Sequence, residues 1–174
     1  MARLAAALLV LLSVLAAPAA AQTAWFPYVG EGGRFEAAFP AEPKIADIQD
    51  ASGLRKFDLI VELADEEAYF VSIYHFPSGT EAGVPAAQVI DKIVNAARQK
   101  GDFAGATILE NAPFAMGRWQ GRELAMRNDK GLVYRGRIFW VGTTLYRAFT
   151  VVGDARLAQA PVKRFLDSFK ILKE

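Results

Sequence analysis

The sequence has 174 residues, 53% of them hydrophobic and 22% charged, with a formal net charge of +1, one histidine and no cysteine. Setting aside Arg3, which lies in a leader described next, leaves 19 basic and 19 acidic residues. That balance excludes a general nucleic-acid binder, which needs a strong basic excess, and the lack of cysteine excludes disulfides and thiolate chemistry.

The first predicted element is a secretory signal peptide over residues 1–21. Arg3 is the only charge before Glu31, Leu4 to Ala17 is an apolar run, and Pro18 breaks it ahead of Ala19-Ala20-Ala21. A basic start, an apolar middle and a small-residue cleavage motif are what export requires. A membrane span needs about 20 apolar residues, and this run is shorter. No cysteine follows it, so a lipidated anchor is excluded. The expected product is a periplasmic or secreted protein, residues 22–174, with no transmembrane segment. Its length suits one domain with one core.

The mature chain opens on the aromatic stretch Trp25 to Tyr28 and a turn at Gly30-Glu31-Gly32-Gly33. Arg34 to Phe39 and Lys44 to Ile48 read as strands. Arg55 to Leu63 follows, with Phe57, Leu59, Val61 and Leu63 alternating onto one face. Ala68 to Phe76 is strongly β-prone and stops at Pro77. The period then changes. Ala86, Ile90, Ile93, Val94 and Ala97 fall at helical spacing opposite Gln88, Asp91, Lys92, Asn95 and Gln99. This predicts a helix over 85–100, opened by Pro85 and capped by Gly101.

Strands are expected at Ala106 to Ala112, Trp119 to Asn128, Leu132 to Val141 and Leu145 to Val152. A last helix is expected over 161–168 with Val162, Phe165 and Leu166 inward, then an edge strand at Lys170 to Leu172. The loop Asp129-Lys130-Gly131 fixes a hairpin register. It places Met126 opposite Tyr134, Leu124 opposite Gly136 and Arg122 opposite Ile138. The alternate pairs are Ala125 with Arg135 and Glu123 with Arg137. Phe139 and Val141 fall on the more polar side, so both faces of the sheet need cover. The expected fold class is α+β: a single domain with an antiparallel sheet of about six to seven strands flanked by helices.

That order of elements resembles the PsbP-like and Mog-like family. The likeness rests on Gly33-Arg34-Phe35 with Phe39-Pro40, Tyr69 to Pro77, Gly121-Arg122-Glu123, Arg137-Ile138-Phe139, Leu145-Tyr146 and Phe165-Leu166-Asp167-Ser168-Phe169. It covers nearly all of the mature chain. The resemblance implies an antiparallel sheet sandwiched between helices and a non-enzymatic role in binding or assembly. It supplies no site residue.

Chemistry-bearing motifs are sparse. His75 is the only imidazole, and Ser72, three residues away on a strand, faces the other side of the sheet. There is no nucleophile elbow of the G-x-S-x-G type, and one histidine without cysteine gives no metal-ligand spacing. The Gly30–Gly33 turn is followed by a strand rather than a helix, so it is no phosphate loop. No catalytic, cofactor-binding or metal-ligating residue is therefore assigned, and no cofactor is expected.

Charge is unevenly spread. Residues 22–116 hold 7 basic and 14 acidic residues, whereas residues 117–147 hold 7 basic and 2 acidic. Arg127, Arg135 and Arg137 share one face by the hairpin register, and Arg122 lies nearby in sequence. These four form a candidate patch for an anionic partner, an envelope protein or an anionic envelope surface; the alternative is that the acidic first half neutralises them. The expected function is an exported, non-enzymatic binding or assembly module of the cell envelope. A small-ligand carrier and a carboxylate-based hydrolase are the competing readings.

Overall fold

The computed structural model describes residues 24–63, 66–100 and 103–173. The predicted leader, its cleavage motif and the Gly101 cap lie outside the described residues. In chain order the elements are β1 (Phe26–Val29), β2 (Phe35–Phe39), β3 (Lys44–Gln49), β4 (Arg55–Glu62), β5 (Ala68–His75), α1 (Ala86–Lys100), β6 (Thr107–Met116), β7 (Trp119–Arg127), β8 (Leu132–Val141), β9 (Thr144–Gly153), α2 (Ala160–Ser168) and β10 (Lys170–Ile171).

Seven strands form one antiparallel sheet in the order β3-β4-β5-β9-β8-β7-β6. The β7–β8 hairpin has the register expected from its loop, including Glu123 opposite Arg137 and Arg122 opposite Ile138. Gly131 takes the left-handed conformation at φ 81°, which the loop needs and which glycine adopts without steric cost. Strand β6 runs past its predicted end at Ala112 to Met116, through Pro113. An edge strand tolerates proline because one side of its ladder has no partner to lose.

The expected flanking of the sheet by helices holds in part. The remaining strands, β1, β2 and β10, form a separate three-stranded sheet with β2 in the centre. This small sheet and α2 cover one face of the large sheet together, and α1 covers the other. Local periodicity shows that Arg34 to Phe39 is a strand but not which sheet it joins. That choice is made by β10, which pairs Ile171 with Phe35 from the far end of the chain.

The two faces have different cores. Under the small sheet and α2, the Phe165 ring lies 5.4 Å from Phe39 and 5.4 Å from Tyr69, so helix, small sheet and large sheet meet in one aromatic cluster. Ser168 reinforces the junction by accepting a hydrogen bond from the Ala38 amide at 2.8 Å. Burial and the Glu67 carboxylate both push the Tyr69 hydroxyl above the ordinary tyrosine range. On the opposite face α1 buries Val89, Ile90 and Val94 over Leu124, Met126 and Ile138. Inward Val162, Phe165 and Leu166 on α2 are as the helical spacing requires. No helix among the described residues is long and apolar enough to cross a membrane.

Candidate functional site

The four candidate arginines divide between the two faces. Arg122 reaches α1, where its guanidinium lies 3.2 Å from Asp91. Arg127, Arg135 and Arg137 are on the face shared with α2, and each has a carboxylate. Arg127 pairs with Asp154 at 2.5 Å. Arg135 lies 2.9 Å from Glu123 and 3.3 Å from Glu110. Arg137 lies 3.0 Å from Asp167 and 3.5 Å from Glu123, donates to the Leu166 carbonyl at 2.6 Å, and stacks its guanidinium over Phe114.

Taken together, these contacts make a ladder of alternating sign: Glu110, Arg135, Glu123, Arg137, Asp167 and Lys163. It crosses β6, β7 and β8 and ends on α2. Lys163 and Arg137 hold the Asp167 carboxyl below its ordinary range, the lysine contact being the larger cause. The Leu166 carbonyl belongs to the last turn of α2, so Arg137 also answers the negative end of the helix dipole. Three acids and three bases leave the ladder with no net charge.

A second cationic region lies at the other end of the same face. There the turn before β2 overhangs β4, β5 and β9 and leaves a cleft of about 390 Å³. Phe35, Phe57, Ile73 and Tyr146 supply its apolar lining, and Arg34, Arg55 and His75 its polar groups. Strand alternation explains the floor: Arg55 is opposite His75, and His75 is opposite Thr144, while one step inward Phe57, Ile73 and Tyr146 align across the same strands. A bidentate contact ties Arg55 to Asp47, with oxygens at 2.9 and 2.6 Å. This hydrogen bond is the main reason that the Asp47 carboxyl sits below its ordinary range. The His75 Nδ1 lies 3.2 Å from the Thr144 hydroxyl.

Arg34 differs from Arg55 beside it. It is exposed, lines the cleft, and has no ion pair among the described residues. Its position is set by the turn. The Gly30 amide donates to the Phe35 carbonyl at 2.9 Å, and a Cβ on Gly30 would fall 1.9 Å from the Phe35 ring. Glycine therefore lets the turn close onto Phe35, which buries that ring and turns Arg34 outward. Lys173 adds a further cation nearby, its Nζ 3.9 Å from where a Gly33 Cβ would stand.

The chemistry such a cleft offers is recognition. Guanidinium groups present donors in a fork that matches carboxylate and phosphate oxygens, and aromatic walls take an apolar body. Among the described residues the lining contains no carboxylate. Ser72 pairs in register with Asp58 and Arg147, on the face opposite His75, as strand alternation requires. No group of three or more metal-ligating side chains occurs among the described residues.

These residues escaped the sequence reading because Arg34 and Arg55 lie in the half of the chain with the acidic excess. A signal was nonetheless present. Each arginine follows a glycine turn and directly precedes, or shares a face with, a phenylalanine: Gly33-Arg34-Phe35 and Gly53-Leu54-Arg55-Lys56-Phe57.

The architecture can be compared with known folds. The structure is similar to the solution structure of cyanobacterial PsbP (CyanoP) from Synechocystis sp. PCC 6803, with a TM-score of 0.58 over 86% of this chain and 94% of that one. The fold is PsbP-like. Sequence identity over the match is 16%, so the likeness is one of fold. No protein-family profile matches the sequence, and no curated protein does. Within the PsbP-like frame, both the arginine ladder and the cleft are defined by the side chains of this chain alone.

Proposed function

We propose that this protein is an exported, non-enzymatic binding or assembly module of the cell envelope that works without a cofactor. The observation that carries the reading is the cleft, where Arg34, with no ion pair among the described residues, stands at a wall of Phe35, Phe57 and Ile73. A concave site that combines apolar walls with a few fixed polar groups is the usual form of a binding site. His75 lies within hydrogen-bond reach of the Thr144 hydroxyl there, and Arg55 is engaged by Asp47. That arrangement supports a receptor reading over an acid–base pair. The leader-like start and the PsbP-like fold agree with it.

The test is retention of envelope components on the immobilised mature chain, residues 22–174. Saturable retention, displaced by free mature chain, is expected. Two results would overturn the reading: no component retained, or turnover of envelope esters or glycosides by the purified chain.

A further inference from the structure

We infer that the cleft between the Gly30–Gly33 turn and strands β4, β5 and β9 binds a small amphiphile with one anionic oxygen group, the head at Arg34 and Arg55 and the body against Phe35, Phe57 and Ile73. The inference rests on the binding reading above and gives it a ligand class.

Three observations converge on it. The first is charge. Arg34 and Arg55 line the cleft, Lys173 stands beside the Gly33 turn, and Asp47 engages Arg55. Arg34 has no ion pair among the described residues, so an anion entering there meets a guanidinium that no described carboxylate engages. The ladder cannot do this, because each of its cations already faces a carboxylate.

The second is shape. About 390 Å³ lies near the lower end of the range for ligand sites, roughly 300–1,000 Å³. The space suits a ring system or a short acyl segment rather than a large cofactor. The walls are also stiff. Phe35 stacks on Tyr28 with ring centroids 6.0 Å apart and meets Tyr146 at 6.4 Å. A wall that is already ordered loses little conformational entropy when a ligand arrives.

The third is the arrangement of the polar groups. Arg55 is fixed by Asp47 and His75 is hydrogen-bonded to Thr144, so both are held before a ligand binds. Arg34 extends from the opposite wall, from a turn whose Gly32 takes φ 65° and whose added Cβ would meet nothing within 4 Å. The cationic groups thus approach the mouth from both sheets while the apolar residues lie below them.

Two sources can present this chemistry, a soluble acid and a lipid with an anionic headgroup. The probes separate them. The mature chain is titrated with 2-naphthoate, with neutral 2-naphthylmethanol, and with phosphatidylglycerol vesicles, using wild type, Arg34→Glu and Arg127→Glu. Saturable binding of 2-naphthoate is expected, weaker by about 10- to 100-fold for the neutral alcohol and for Arg34→Glu, the worth of hydrogen bonds to a charged group. Arg127→Glu should leave it unchanged. Vesicle binding that depends on Arg34, without naphthoate binding, supports the cleft and assigns the head to a lipid. Binding of neither probe, or binding that survives Arg34→Glu, overturns the inference, as does loss with Arg127→Glu in place of Arg34→Glu. A chain that ignores both probes yet retains an envelope component loses the ligand class and keeps the binding reading. A chain that binds a probe through Arg34 yet retains nothing from the envelope loses the assembly reading and keeps the cleft.

Discussion

The arginine ladder and the cleft lie on one face of the same sheet and use the same side chain to opposite ends. In the ladder, Arg135 and Arg137 are sunk among Glu110, Glu123 and Asp167, and the guanidinium groups bind strand to strand and strand to helix. At the cleft, Arg34 projects from a turn with no ion pair among the described residues. Four arginines of the stretch that looks basic in sequence are paired in space, because their partners Asp91, Glu110, Asp154 and Asp167 come from outside it. The half that looks acidic also holds an exposed cation, Arg34, with no ion pair among the described residues. Charge along a chain therefore says little about a surface until the pairing is known, and ion pairs that join strands are first of all part of the fold.

Both regions depend on the aromatic cluster between them, so the largest effect should come from removing its centre. Phe165→Ala empties a fully buried site that touches Phe39 and Tyr69. It should cost about 3–5 kcal/mol, a large part of the stability of a domain this size. Denaturant unfolding should stay a single transition, followed equally by tryptophan fluorescence and far-ultraviolet dichroism. Two separate transitions would show that ladder and cleft belong to independent units.

Arg137→Ala should cost less, about 1–3 kcal/mol. It removes a guanidinium only 12% exposed that serves the Leu166 carbonyl, Asp167 and Glu123, and leaves those acceptors without it. The comparison predicts a loss of stability with no change in cleft binding. Weaker naphthoate binding by this variant would mean that the two regions are coupled. Arg127→Ala should cost still less, within about 1 kcal/mol, since both partners of its pair with Asp154 are about half exposed. A cost equal to that of Arg137→Ala would show that burial does not set the worth of these pairs.

Much of this was legible in the sequence, in a patterned way. Elements set by local signals came through: both helices, the hairpin loop and its register, and the inward residues of α2. What was hidden depends on contacts distant in the chain. Pairing of Ile171 with Phe35 draws β1, β2 and β10 into their own sheet, and no periodicity near either residue announces it. The same distance effect hid the ladder, because Asp167 approaches Arg137 only once α2 has docked. The candidate patch grouped Arg122 with the other three arginines, and its pair with Asp91 on α1 puts it on the opposite face. The cleft needed both kinds of information: the local run of glycine, arginine and phenylalanine, and the meeting of two sheets.

The smallest effect tests the cleft side of the comparison alone. Asp47 shares Arg55 with any anion that enters, so it acts as a built-in competitor. Asp47→Asn should strengthen binding of an anionic probe by about two- to fivefold at neutral pH, the range expected for one exposed pair. Proton uptake should act in the same direction. The Arg55 hydrogen bond, helped by the nearby His75, holds the Asp47 carboxyl below its ordinary range in the folded chain. The stability this contributes is present above the unfolded value, near pH 4, and is lost as pH falls through the lower folded value. A naphthalene sulfonate, which stays ionised in acid, should therefore bind the wild type more tightly as the pH falls through that window, while the chain itself grows less stable. Asp47→Asn should bind it with a flatter pH profile there. Equal profiles for the two proteins would show that Asp47 does not compete for the anion, and the head of the ligand would then belong to Arg34 alone.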